Sequence, residues 1–378
     1  MIDTIVITLS RDLFEITDPE LFIPSAAWAL SKKIERGMQS KQNPLKKELT
    51  KGIYKPRLTL AYRYNLLGKP EIILKIELSL PKLVFGNNFS ELRYKDFPSI
   101  INKLVATLQA MGICTTSTAI ASAPVSAIHY SKNMCLTDGS TPHFYINKIK
   151  EANTKLSLDV NETAYRNAGH SFKWLTNYYE VAFYDKIRDL EKAQTSNKRA
   201  VEKDNELQLT THEQLQKRRT KFEVLRMEVR LNKRVKIKEL FTKLGIKTDV
   251  TFKKMFKPAI SKKVLLHYFD ELVSKRPLLL DYQSTNGKAL LVDLMFNNPN
   301  LGPKQLLQLY GFKKVLEIMD MRELRTMFSR CSPRSWQRLI ADVSKIQLSR
   351  ALDHFKALRE QLVKFEPINK QYKKFIKR

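Results

Sequence analysis

Tyr184 and Lys186 stand two residues apart in VAFYDKIRDLEK, residues 181–192. In a strand, alternate residues share a face. TNYYEVAFYDK (176–186) therefore sends Glu180, Ala182, Tyr184 and Lys186 to one side, and Tyr179, Val181 and Phe183 to a core side. A free tyrosine has a pKa near ~10, so it is a poor nucleophile at neutral pH. A nearby ammonium favours the phenolate and can stabilise a transferring phosphoryl group. EVLRMEVRL (223–231) makes a second polar face from Arg226, Glu228 and Arg230. There Glu228 can coordinate a hard divalent cation and an arginine can read phosphate. IELSLPKLVFGNN adds Glu77, opposite in phase to Ile76 and Leu78, and SAIHYSKN adds His129. Each feature alone is also what an ordinary half-buried strand or surface Arg–Glu ladder carries. Asp185 is a spare carboxylate whose phase points to the core side.

The elements that must position these groups are strands in the first half. MIDTIVITL, IYKPRLTLAYRY (53–64), EIILKIELSL (71–80), APVSAIHYSKN (123–133), TNYYEVAFYDK and EVLRMEVRL alternate with period two. RYKDFPSIINKLVATLQAMG switches to helical period, with Asp96 as candidate cap, Pro98 in the first turn and Gly112 at the end. The charged segment 187–221 reads as helix and loop. After about residue 235 every patterned segment reads as helical, and the basic tail QYKKFIKR is expected to fray. The expectation is an α+β chain: a strand-rich domain over 1–240, then an all-helical domain over 241–378.

Composition narrows the partners. Lys+Arg number 67 against Asp+Glu 38, a formal charge of +29, which attracts polyanions through counterion release. No apolar run is long enough to span a membrane, and MIDTIVITLSRDLFEI lacks the pattern of a secretory signal. The cysteines, Cys114, Cys135 and Cys331, form no CxxC and read as reduced thiols of a cytosolic protein. Only 11 glycines occur, with no GxxxxGK[ST] and no GxGxxG, which argues against a P-loop NTPase or a Rossmann dehydrogenase. No His-hydrophobe-His triplet is present.

Taken in order, IELSLPKLVFGNNFSEL, VSAIHYSKN, FYDKIRDLE and LRMEVRL resemble the phage and plasmid replication proteins of the gene-two/gene-ten family. The filamentous-phage initiator is the best-known member of that family. The resemblance covers residues ~70–235 best. It implies an antiparallel-sheet nuclease domain of HUH type that lacks the His-hydrophobe-His motif. It also implies a site-specific nick in one strand of origin DNA, a 5′-phosphotyrosine intermediate and the start of rolling-circle replication. By position, Tyr184 matches the nicking tyrosine, Lys186 the lysine two residues on, Arg226 and Glu228 the Arg-x-Glu strand, and Glu77 the acid before the turn. His129 departs from the acidic residue that filamentous-phage members carry near this place. The implied metal is Mg²⁺ or Mn²⁺ on Glu77, Glu228 and His129. The implied partners are the replication origin of a phage or plasmid, with host helicase and polymerase, and no membrane.

Basic clusters at 46–57, QKRRTKFEVLR, LNKRVKIK and FKKMFK supply phosphate contacts that position without specifying sequence. CSPRSWQRLIADVSK, with Ser332 as cap and Pro333 in the first turn, reads either as the reading helix of a helix-turn-helix-like unit (303–346) or as a packing helix that buries Trp336 and Leu339. Two other readings stand beside the nickase: a non-catalytic DNA-binding regulator of replication, and a basic RNA-binding protein that stacks bases on aromatics such as Tyr178 and Tyr179.

Overall fold

In the computed structural model the described residues are 1–31, 34–35, 37–45, 48, 53–64, 68–136, 139–152, 162–166, 170–189, 223–273, 278–282, 286–319, 321–328, 331–349 and 354–368. Most of the charged segment 187–221 and the tail 371–378 lie outside them. The elements run β1 (Ile2–Ser10), β2 (Phe14–Ile16), β3 (Gln39–Gln42), β4 (Arg57–Tyr64), β5 (Pro70–Ser79), α1 (Leu80–Phe85), α2 (Phe97–Gln109), β6 (Ile113–Thr115), α3 (Ser117–Ser122) and β7 (Val125–Leu136). They continue α4 (Pro142–Ala152), β8 (Glu162–Arg166), β9 (Ser171–Leu175), β10 (Tyr179–Asp185), β11 (Glu223–Leu231), α5 (Arg234–Lys243), α6 (Phe252–Met255) and α7 (Pro258–Val273). The last are α8 (Gly287–Asn297), α9 (Pro303–Leu316), α10 (Met321–Met327), α11 (Pro333–Lys345) and α12 (Lys356–Lys364).

The class is α+β. Among the described residues nine strands form one antiparallel sheet in the order β3-β4-β5-β1-β7-β11-β10-β9-β8. Period two divides its faces. Ile5, Ile7, Leu74, Ile76, Leu78, Ile128, Met227, Val229 and Phe183 point to one face and are fully or almost fully buried. Helices α4, α5, α7 and α12 cover that face. Removing a side chain such as Phe183 from water contributes about 1.5–3 kcal/mol. The other face carries Glu77, His129, Glu228, Arg230, Glu180 and Tyr184, which line one cleft or ion-pair directly with residues that do.

The cores divide elsewhere than the change of texture near residue 240. Residues of α5, α6, α7 and α12 belong to the same core as the strands, whereas a second core gathers residues from Leu279 to Ile346. The reason is that the helices after β11 are what cover the sheet's apolar face. In the second unit Trp336 and Leu339 pack against the core, while Arg334 and Arg338 stay exposed, so α11 is both a packing helix and a cationic surface. Ser332 occupies the N-cap position but its side chain makes no capping bond. Asp96 likewise does not cap α2, because its carboxylate accepts the Arg93 N–H at 2.6 Å. Gly112 is a positive-φ residue (+75°) where a Cβ would lie 2.9 Å from Asp18, so the turn after α2 requires glycine.

Candidate active site

Seven adjacent strands, from β4 through β5, β1, β7, β11 and β10 to β9, contribute to the cleft. Its volume is about 350 Å³, and Asp3, Arg57, Glu77, His129, Tyr184 and Glu228 are among its walls. Antiparallel register aligns the groups. Tyr184 stands opposite Arg226, Arg230 opposite His129, and Glu228 opposite Ser131. The Tyr184 hydroxyl donates to Glu228 Oε2 at 3.0 Å. Arg230 grips the same carboxylate, Nε to Oε1 at 3.0 Å and a terminal nitrogen to Oε2 at 3.2 Å. It also reaches Glu180, which Lys173 of β9 holds at 2.7 Å. His129 Nδ1 lies 3.7 Å from Glu228 Oε1.

Behind this row is a drier layer. Arg226 is only 2% exposed. It donates to Asp3 Oδ1 at 2.7 Å, Ser131 Oγ at 2.9 Å and the Asn88 carbonyl at 2.7 Å. Asn88 comes from the FGNN segment, where Gly86 ends α1 in the left-handed region and Asn87 Oδ1 accepts the Phe89 and Ser90 N–H groups. That turn folds over the cleft face, and Asn88 Oδ1 also accepts from Lys186 at 2.8 Å.

Protonation follows from burial and these charges. Burial pushes the Tyr184 phenol well above the usual tyrosine range, Arg226 partly offsets it, and the Glu228 carboxylate pushes it further up. Burial acts to raise Glu228, but the Arg230 and Arg226 guanidiniums and His129 overcome it and hold the carboxyl well below the usual carboxylate range. Burial, then Arg226, lowers the Lys186 ammonium to about 8. Burial lowers His129, partly offset by Glu228. At neutral pH the resting site is thus a neutral phenol donating to an ionised carboxylate.

The sequence expectations fare unevenly. Tyr184, Glu77, His129 and Glu228 all reach the one cleft, and Arg226 lies directly behind it. Lys186 does not continue the strand face. The chain turns helical at 186–189, and this lysine is fully buried, its Nζ 5.8 Å from the centre of the Tyr184 ring. The same turn brings Asp185 into the cleft wall, against its expected core-side phase, where it pairs with His170 at 3.6 Å and accepts the Arg188 N–H.

Asp3 went unrecognised in the sequence. The β1–β7 register pairs Ile2 with Tyr130 and Thr4 with His129, so Asp3 is the extra residue of a β-bulge. Bulges re-aim side chains beside functional sites. The one signal was an acid inside an otherwise apolar and β-branched strand. His170 and Lys173 were also missed, because the short SFKWL strand carries little pattern.

The metal set implied by the resemblance fits this arrangement poorly. Glu77 and Glu228 stand three strands apart, ~14 Å across a flat sheet at ~4.8 Å per strand. Both oxygens of Glu228 are engaged by Arg230, and one also by Tyr184. Among the described residues no three His, Cys, Asp or Glu side chains group closely enough to hold a metal.

The chain matches no protein-family model, no curated protein and no solved structure. Among the described residues no helix is long and apolar enough to cross a membrane.

Proposed function

We propose that this chain is a DNA strand transferase that nicks one strand through Tyr184 and starts rolling-circle replication, its sheet acting as a replication-initiator nuclease domain. The observation that carries the reading is the Tyr184 hydroxyl on the Glu228 carboxylate at 3.0 Å, in a cleft walled by Arg57, Lys82, Lys173, Arg188 and Arg230. A nucleophile within hydrogen-bond reach of a base, facing fixed cations, is the arrangement that phosphoryl transfer needs.

The step balances with the chain's own groups. The Tyr184 oxygen attacks the scissile phosphorus while the P–O3′ bond breaks. The phenol proton passes to Glu228, and the DNA keeps a 3′-hydroxyl once solvent supplies its proton. The tyrosine ester conserves the phosphodiester energy for rejoining. Glu228 is a weak base while Arg230 clamps it. An incoming phosphate competes for that guanidinium, loosens the clamp and raises the basicity of Glu228 when the nucleophile is needed. The buried Arg226 and Lys186 add positive potential behind the phenol and favour the phenolate as it forms.

A second reading, a DNA-binding regulator without scission, is favoured by the resting protonation. A phenol pushed well above its usual range is also what a structural tyrosine shows. The test uses a supercoiled plasmid carrying the DNA that flanks the chain's own gene, incubated with Mg²⁺, Mn²⁺ or a chelator. Wild type should give open circles and DNA that stays on the protein after denaturation, and Tyr184→Phe should give neither. Nicking that survives Tyr184→Phe removes Tyr184 from the chemistry. Tight binding without nicking by wild type selects the regulator.

A further inference from the structure

The cleft face of the sheet does not end at Arg230. Asn232, the residue after β11, donates its N–H to the Tyr178 carbonyl at 2.9 Å. Tyr178 stands at the β9–β10 turn, one residue before β10, and is 49% exposed. Lys233 Nζ lies over its ring, 4.8 Å from the centre. Its neighbour Tyr179 is different: that ring is half-buried and packs on Tyr268 of α7 at 5.3 Å. Only one of the two tyrosines therefore offers a ring to solvent.

The segment that follows Asn232 is strongly cationic. From Lys233 to Lys263 the chain has eleven Lys or Arg against two acids, Glu239 and Asp249. Lys233, Arg234, Lys238, Lys247, Lys253 and Lys257 are exposed. An open ring beside backbone-tracking cations is how unpaired nucleic acid is held. Bases stack on the ring whatever their identity, and lysines follow the phosphates. A duplex hides its base faces and gains only from the lysines. Lys173 and Arg230 lie between this turn and Tyr184, a path of six strand residues or ~20 Å.

We infer that Tyr178 with Lys233 is a base-stacking platform for an unpaired DNA strand, which Arg230 and Lys173 lead along the cleft face towards Tyr184. The inference extends the DNA-handling reading above but does not depend on scission, so the two can fail separately.

The test measures binding on full-length protein carrying Tyr184→Phe, which cannot form an adduct through that residue. The probes are fluorescent oligo-dT and a mixed-sequence duplex, each titrated across salt concentrations. Tyr178→Ala should weaken oligo-dT binding about 5- to 150-fold, the ~1–3 kcal/mol of one stacked base at ~1.4 kcal/mol per tenfold, and leave duplex binding unchanged. Tyr178→Phe keeps the ring and should bind within about twofold of the parent. Tyr178→Leu, which keeps apolar bulk at the turn without the π-face, should behave as the alanine variant does. Lys233→Gln should lower the oligo-dT salt slope by about 0.7. Equal losses for Phe and Ala, equal losses on duplex and oligo-dT, or no loss with Ala would each overturn the platform. The thermal midpoints of the variants should match the parent, since the ring is half-exposed.

Discussion

Arg226 and Arg230 leave the same strand on the same side, four residues apart, with Glu228 between them, and they end in different surroundings. Arg226 is enclosed, its guanidinium fixed by Asp3, Ser131 and Asn88. Arg230 keeps 28% of its side chain exposed and faces the cleft with carboxylates as its only hydrogen-bond partners among the described residues. The difference teaches which charge holds the fold and which can exchange partners. A guanidinium tied to neutral oxygens and one buried acid has nothing to release. A guanidinium held by two carboxylates at the edge of a cleft can trade one for a phosphate.

The sharpest way to break this comparison is to remove the enclosed charge. Arg226→Met leaves Asp3 buried without its partner and should destabilise the protein by about 3–5 kcal/mol in urea unfolding. Adding Asp3→Asn to that variant should recover part of the loss. A single variant as stable as wild type would mean that Arg226 is not structural. Next in size is Arg230→Gln, which should slow nicking about 100-fold or more while costing only about 1–2 kcal/mol of stability. If stability falls as far as for Arg226, the two arginines are alike and the proposed exchange with phosphate loses its basis.

The smallest effect concerns Lys186, on the Arg226 side. Its pKa falls from 10.5 to about 8 on folding, with burial the main cause and Arg226 the next. Between those values the unfolded chain binds the extra proton, so stability rises with pH across that window, by up to about 1.4 kcal/mol per pH unit. Below the window the cost of burying the charge is constant. Urea midpoints measured across the window should show this slope in wild type and not in Lys186→Met. An identical slope in both would assign it to other groups.

Much of the cleft was legible in the sequence because strand parity is a strict rule. Alternation alone puts Glu77, Tyr184 and Glu228 on polar faces and His129 on a mixed one, and hydrogen-bonded register then brings those faces together. Alternation fails where the strand itself fails. Asp3 was hidden by a bulge, which period two cannot express. Lys186 and Asp185 were misplaced because the backbone leaves the strand between them. The boundary near residue 240 was drawn from secondary-structure texture. What sets a core is which face covers which, and no local pattern records that α5, α7 and α12 close over the sheet.

The route of the chain through its two cores has a consequence for how this protein can vary. The sheet's core takes in α7 and then α12, and these helices touch each other, with Arg359 of α12 clasping Asp270 of α7 through paired bonds of 2.8 and 2.9 Å. The second core is formed by residues lying between them in sequence. It is therefore an insertion whose entry and exit are already held side by side by the host. Lengthening such a loop is cheap, since each doubling adds only about 0.6 kcal/mol of closure entropy. Insertions, deletions or wholesale replacement between Val273 and Phe355 are thus the changes the sheet and its cleft are best placed to tolerate. A cassette that carries the cationic α11 can be exchanged while the chemistry stays where it is.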